Sequence, residues 1–253
     1  MTEAQKARLA MREGRWTGPT VHKIKGFVQS NLVVLPHADA YDFLVYCQRN
    51  AKACPVIEVT DPGDPEPRVS APGADLRTDL PRYAVYRNGV REQDVEEITD
   101  SWNPDSVAFL LGSSLSFDDA LVRAGVEAGE TVWALNTSVP TVPAGKFHGN
   151  LVVTMRLMRP EQVVTATQLT TRYVYTHGSP VHVGDPRVIG ADLEHPIYGP
   201  PLTAIPRDKS AVFWACGVTP QQAAIESKQE LMITHAPAHG FVTDLLSDRF
   251  CIP

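Results

Sequence analysis

Seventeen consecutive residues, Thr176 to Asp192, hold the densest set of groups in the chain that could do chemistry. They read Thr-His-Gly-Ser-Pro-Val-His-Val-Gly-Asp-Pro-Arg-Val-Ile-Gly-Ala-Asp: two His, two Asp, an Arg, three Gly and two Pro. An imidazole with an ordinary pKa of about 6.5 serves as base or acid near neutral pH. His177 and His182 are therefore candidates for proton transfer, with Asp185 placed to orient one of them. Gly and Pro at this density exclude a long helix and set tight turns. Pro180-Val181 and Val188-Ile189 are apolar, so the segment is expected to be partly buried. A stiff, half-buried loop rich in His and Asp reads as a site more than as a connector.

Three further groups lie just past apolar runs. Val107 to Leu111 leads into Gly112-Ser113-Ser114, Val212 to Ala215 into Cys216-Gly217, and Leu231 to Thr234 into His235. Fully apolar runs of this length mark buried strands. Ligand crevices in open α/β sheets form beyond the carboxyl ends of strands. A small-molecule pocket lined by Ser113, Ser114, Arg156, His177, His182, Asp185, Cys216 and His235 is the expectation. Ser116 followed by Asp119 resembles a capping pair, with helix expected from Ala120 to Ala128. Ser113, Ser114 and Ser116 then sit where free N–H groups favour an anion, and Arg156 can take a carboxylate in a bidentate pair. Cys216 is a candidate nucleophile, although a Cys at the end of a buried strand is more often a small core residue. No cofactor is required by this set. A divalent metal is the rival reading, with His177, His182 and Asp185 as ligands and His235 and His239 adding more. The helix-borne H-E-x-x-H is absent, and Pro237 argues against a regular helix there.

The elements that must position these groups alternate between the two periodicities. Thr2 can cap a helix to Arg12 that Gly14 stops. A strand ends the run Phe27 to Leu35, a helix opens at Asp39 and closes at Gln48-Arg49-Asn50, and Pro55 to Thr60 is β-rich. Asp61 to Pro81, with its many prolines, is expected to be an ordered excursion within one unit. Tyr83–Tyr86, Asn88-Gly89 and Val90 form a hairpin signal. Strands follow at Thr131–Asn136 and Leu151–Arg156, the latter ending on Arg156. Helices start at Arg159-Pro160 and at Thr219-Pro220-Gln221. The fold class expected is α/β, with a mixed α+β arrangement as the alternative, in one globular unit spanning 1–253.

Bulk properties narrow the partners. A net charge of −6 disfavours a general nucleic-acid surface. No apolar run approaches the roughly 20 residues of a membrane span. Met1 to Arg15 is charged throughout and does not read as a secretory signal. Cys47, Cys54, Cys216 and Cys251 show no C-x-x-C spacing, so reduced thiols and a cytoplasmic setting are expected. The partner expected is a small-molecule substrate, with neither nucleic acid nor membrane; a homo-oligomer, at its simplest a homodimer, is left open.

Several stretches together resemble the D-glutamate cyclase-like family. They are Gly26–Leu32, Cys47–Asn50, Phe109–Phe117, Val152–Arg156, His177–Pro186, Phe213–Gln221 and His235-Ala236-Pro237, in order along nearly the whole chain. The resemblance implies a hydro-lyase, a carbon–oxygen lyase acting on a small carboxylate or amino acid, with cyclisation of D-glutamate to 5-oxo-D-proline as the specific reaction. Two departures stand out. The family pattern Gly-Cys-Ser-Phe-Ser-Phe-Glu reads Gly112-Ser113-Ser114-Leu115-Ser116-Phe117-Asp118 here. The acidic Pro-Asp motif after the central loop reads His195-Pro196-Ile197-Tyr198-Gly199-Pro200. These departures would also suit a protein that binds a small carboxylate without turning it over.

Overall fold

The computed structural model describes residues 1–127 and 131–252. In chain order the elements are α1 (Glu3–Arg12), β1 (Phe27–Pro36), α2 (His37–Arg49), β2 (Val56–Val59), β3 (Tyr83–Arg87), β4 (Val90–Arg91), β5 (Ser106–Gly112) and α3 (Asp118–Arg123). They continue with β6 (Trp133–Pro140), β7 (Asn150–Met158), α4 (Val163–Thr171), β8 (His182–Val183), β9 (Ser210–Ala215), α5 (Thr219–Ser227), β10 (Met232–His235) and β11 (Phe241–Leu246). No helix among the described residues is long and apolar enough to cross a membrane.

Two sheets carry the structure. The first runs β2-β5-β1-β10-β3-β4, with β11 also paired to β1; the second runs β6-β7-β9-β8. Every pairing is antiparallel. The fold is thus a mix of helices and sheets in its α+β form, not the open parallel sheet that the strand-end argument assumed. Convergence of strand ends has another cause. β5 and β10 each pair antiparallel with β1, so they run in the same direction and end on the same side.

Alternation along these strands fills two cores. Val33, Leu35, Val107, Phe109 and Leu111 point to one face and meet Phe43, Tyr46 and Cys47 of α2. Leu32, Val34, Ala108 and Leu110 point to the other and meet Ala71, Leu76, Leu80 and Ile98. A sheet covered on both faces needs apolar residues at successive positions, which is why β5 is buried along its whole length. The proline-rich stretch from Asp61 to Pro81 is therefore a cover. It is fastened by the buried Tyr83 hydroxyl, which donates to the Leu76 carbonyl at 2.9 Å and accepts from the Leu80 N–H at 3.2 Å.

Local signals hold well at the termini and turns. Thr2 caps α1 in a reciprocal capping box with Gln5. Asn88-Gly89 joins β3 to β4, both turn residues with positive φ. Two readings need correction. β7 runs two residues past Arg156, which lies inside the strand. The helix expected from Ala120 starts earlier and is shorter: a 3-10 turn over Ser114–Phe117 leads into α3, which ends at Arg123. Ala128, the expected end of that helix, lies outside the described residues. Ser113 caps the 3-10 turn by accepting from the Leu115 N–H, so Ser116 falls inside the turn and caps nothing.

Candidate functional site

One edge of β1 is shared by two strands. β11 pairs with its first half, at Gln29 and Ser30, and β10 with its second half, at Val33 and Val34. Between them the chain loops out through Ala236–Gly240. The Leu32 N–H falls in this gap and donates instead to His235 Nδ1, at 3.3 Å. An acceptor at Nδ1 leaves the proton of the neutral ring on Nε2. His235 is nearly sealed, and burial pushes its pKa down to about 4. Its carbonyl is held by the Gln221 side chain of α5 at 3.2 Å.

His177 approaches from the opposite side with the complementary arrangement. It is 1% exposed, and its backbone is in the left-handed region at φ 84°. Such a conformation costs a non-glycine residue about 1–3 kcal/mol and persists where surroundings enforce it. Here the enforcement is visible. Nδ1 donates to the Lys52 carbonyl at 2.9 Å, and Lys52 Nζ donates to Ser179 Oγ at 2.8 Å. A carbonyl only accepts, so the proton is on Nδ1 and Nε2 keeps its lone pair. Burial lowers this pKa to about 4 as well, opposed by the Lys52 carbonyl and aided by the charge of Arg156. Gly112 allows the close approach: a Cβ there would lie 1.8 Å from the Tyr175 carbonyl oxygen.

Both histidines line one cavity, together with Ser113, Ser114 and Cys216. It holds about 90 Å³, several times the roughly 10–15 Å³ that a single water needs. That is the scale of a small carboxylate. Burial raises the Cys216 thiol above its ordinary value, with Thr154, the Val218 N–H and Arg156 pulling the other way. The thiol is protonated at neutral pH, which makes it a poor nucleophile without a base.

The remaining candidates sit elsewhere. Ser116 Oγ accepts from the Gln29 N–H at 3.1 Å and donates to the Gln29 carbonyl at 3.3 Å, which binds the turn to β1. Arg156 lies behind the cavity wall, paired with Asp118 at 2.6 Å and with Nη2 3.5 Å from Ser114 Oγ. His182 is in the short edge strand β8. Its Nε2 donates to the Asp185 carbonyl at 2.8 Å, and its ring packs on Phe213. The Asp185 carboxylate is bound by Arg187, which holds its pKa down to about 2. The expected eight-residue lining therefore divides, because β8 carries the second half of the central loop along the edge of the other sheet, beyond the cavity. The metal set His177, His182 and Asp185 is divided in the same way. Among the described residues no three His, Cys, Asp or Glu side chains gather as metal ligands would. His239 Nδ1 is bound to the Pro237 carbonyl at 2.7 Å.

Gln29 and Asn31 also line the cavity. Asn31 Nδ2 donates to the Gly112 carbonyl at 2.9 Å. Their signal in the sequence is the polar run Gln29-Ser30-Asn31 inside an otherwise apolar strand.

A family model described as D-glutamate cyclase matches residues 107–244. A relative from Stutzerimonas stutzeri is 49% identical over 96% of this chain and 93% of its own length. One from Geobacillus kaustophilus is 47% identical, covering 97% and 95%. One from a Thermoanaerobacter species is 50% identical, covering 94% and 92%. Each of the three carries the name "Putative hydro-lyase". The solved structure of a nitrogen repressor-like protein from Methanococcus jannaschii aligns over 96% of the chain at 11% identity with a TM-score of 0.40, too distant to bear on the site. By the family model and by these full-length relatives, the chain belongs to the D-glutamate cyclase family.

Proposed function

We propose that the protein is a hydro-lyase, a carbon–oxygen lyase, that removes water from a small carboxylate, with D-glutamate cyclised to 5-oxo-D-proline as its specific reaction. The observation that carries this is the pair of buried, neutral histidines with opposite tautomers on one small cavity. His177 offers a lone pair and His235 an N–H. In the cyclisation the substrate nitrogen attacks its own side-chain carboxyl carbon, a C–N bond forms and a C–O bond breaks. The ammonium loses two protons and the departing oxygen leaves with two, as water, so acid–base chemistry alone closes the reaction. His177 Nε2 takes a proton from the ammonium. His235 Nε2–H polarises the carboxyl, a role a neutral imidazole can fill. The hydroxyls of Ser113 and Ser114 face the oxygens. No cofactor enters the scheme.

The same pair would serve an elimination that takes a proton beside a carboxylate and expels hydroxide, which the name hydro-lyase covers as well. One experiment separates the readings. The purified chain is incubated with D-glutamate, L-glutamate and small hydroxy acids, and products are read by mass for loss of water. 5-Oxoproline from D-glutamate, unchanged by a chelator, is expected. Dehydration of a hydroxy acid alone would replace cyclisation by elimination. Binding by calorimetry without product from any of them would make the protein a carboxylate binder and overturn the proposal.

A further inference from the structure

On the other side of Val21, Gln29 and Leu115, which line both spaces, lies an open groove of about 830 Å³. Arg156 and Asp118 are on its floor. Arg156 is 1% exposed and sits between the rings of Phe117 and Trp214, at 5.2 and 5.3 Å. Its Nη2 is spent on Asp118 Oδ1 and reaches toward Ser114, a residue of the cavity wall. Its Nη1 is buried and has no hydrogen-bond partner among the described residues. The same is true of Gln29 Oε1 and of Asp118 Oδ2, which makes an ion-pair contact with His22 Nδ1 at 3.5 Å but no hydrogen bond.

Buried polar groups are nearly always paired, and an unmet one calls for an explanation. Here three unmet atoms come from side chains of one wall. One is a cationic donor. Two are acceptors, one of them a carboxylate oxygen. Their complement is a carboxylate beside an ammonium, the zwitterionic end of an α-amino acid. All three atoms are shielded from solvent as the chain stands. Gln29 lines both the groove and the cavity, and the one hydrogen bond its side chain makes among the described residues is from Nε2 to the Ile24 carbonyl, at 3.3 Å.

We propose that Gln29, Asp118 and Arg156 hold the head group of an amino-acid substrate and select it over a plain dicarboxylate of the same skeleton. This rests on the small-carboxylate reading of the cavity. Arg156 Nη1 donates to the α-carboxylate, while Asp118 Oδ2 and Gln29 Oε1 accept from the ammonium. The side-chain carboxyl then extends past Gln29 toward His177 and His235.

The test is calorimetric titration of the full chain with D-glutamate, L-glutamate and glutarate, the last being the same diacid without the amino group. At least one glutamate enantiomer binds tenfold tighter than glutarate, or about 1.4 kcal/mol. Gln29→Leu reduces that preference by fivefold or more and leaves the glutarate affinity within twofold, with an unchanged or higher melting temperature. Gln29→Glu, which adds a charge on the ammonium side, steepens the preference. Equal binding of glutamate and glutarate by the native chain, or a preference unmoved in Gln29→Leu, overturns the cradle and leaves the carboxylate reading standing. Binding of none of the three removes both.

Discussion

His177 and His182 are five residues apart in one loop, yet the fold treats them as different chemical species. His177 is buried, strained and anchored through Lys52, and burial keeps its ring neutral. His182 is half-buried in a sheet edge, with one nitrogen spent on its own loop at the Asp185 carbonyl. Asp185, which looked like an orienting carboxylate, is exposed and bound to Arg187 two residues on. What marks His177 is the cost of charge. A ring removed from water stays neutral and keeps a defined tautomer. The first half of the loop is buried against the cavity, and the second half closes on itself.

The largest contrast should appear in turnover. Asn tolerates the left-handed backbone at position 177 and can still donate to the Lys52 carbonyl. His177→Asn is therefore expected to fold and to lose about 10²- to 10⁴-fold in kcat, the usual contribution of a positioned acid or base. His182→Asn and Asp185→Asn should stay within about threefold, an estimate that follows from their distance from any proton transfer. Steady-state kinetics on D-glutamate compares them. A loss for His182→Asn equal to that for His177→Asn would erase the distinction.

Acidification should act on the same division. The folded pKa of His177 is depressed from an ordinary 6.5 to about 4. Above 6.5 both folded and unfolded states are neutral and nothing is lost. Between 6.5 and 4 the unfolded chain binds the proton and the folded chain does not, so stability falls as pH falls. A shift of this size corresponds to about 3 kcal/mol, and His235 adds a similar amount. Urea melts at pH 7 and pH 4.5 should show a steep loss that His177→Asn makes shallower and His182→Asn does not. Equal slopes in all three would show that His177 is charged in the folded state.

Backbone contacts give a smaller contrast. Gly112→Ala places a methyl 1.8 Å from the Tyr175 carbonyl oxygen, and overpacking of that kind costs about 1–3 kcal/mol. Gly184, on the second half of the loop, has open space around it and only a positive φ to protect, so alanine there should cost about 1 kcal/mol. Thermal melts that rank Gly184→Ala below Gly112→Ala would break the comparison. Smallest of all is Ser113→Cys. The Ser113 hydroxyl accepts from the Leu115 N–H at 3.4 Å, a weak bond. Affinity and turnover should remain within about tenfold, or about 1.4 kcal/mol. A hundredfold gain in turnover would instead make this position part of the chemistry.

Local physics was readable from the residues alone. The run Val107–Leu111, the Asn88-Gly89 turn and the Thr2 cap each depend on neighbours within a few positions, and each is where its pattern places it. His177, Cys216 and His235 could be nominated because strand ends and loops are where side chains become available for ligands. The sequence alone also carries the family, since the resemblance read from its motifs agrees with the family model over 107–244 and with a relative 49% identical over 96% of the chain.

What tertiary structure alone decided depends on partners far along the chain. Lys52 and His177 are 125 positions apart, and their hydrogen bond sets the tautomer. Leu32 and His235 are 203 apart, and theirs exists because β10 and β11 leave a gap on one edge of β1. The Asp61–Pro81 stretch has no periodicity of its own, because it is shaped by the sheet face it covers. Residue type sets which proton chemistry an imidazole can do. Burial and a distant carbonyl set which nitrogen does it, and these arise only when remote segments pack against each other.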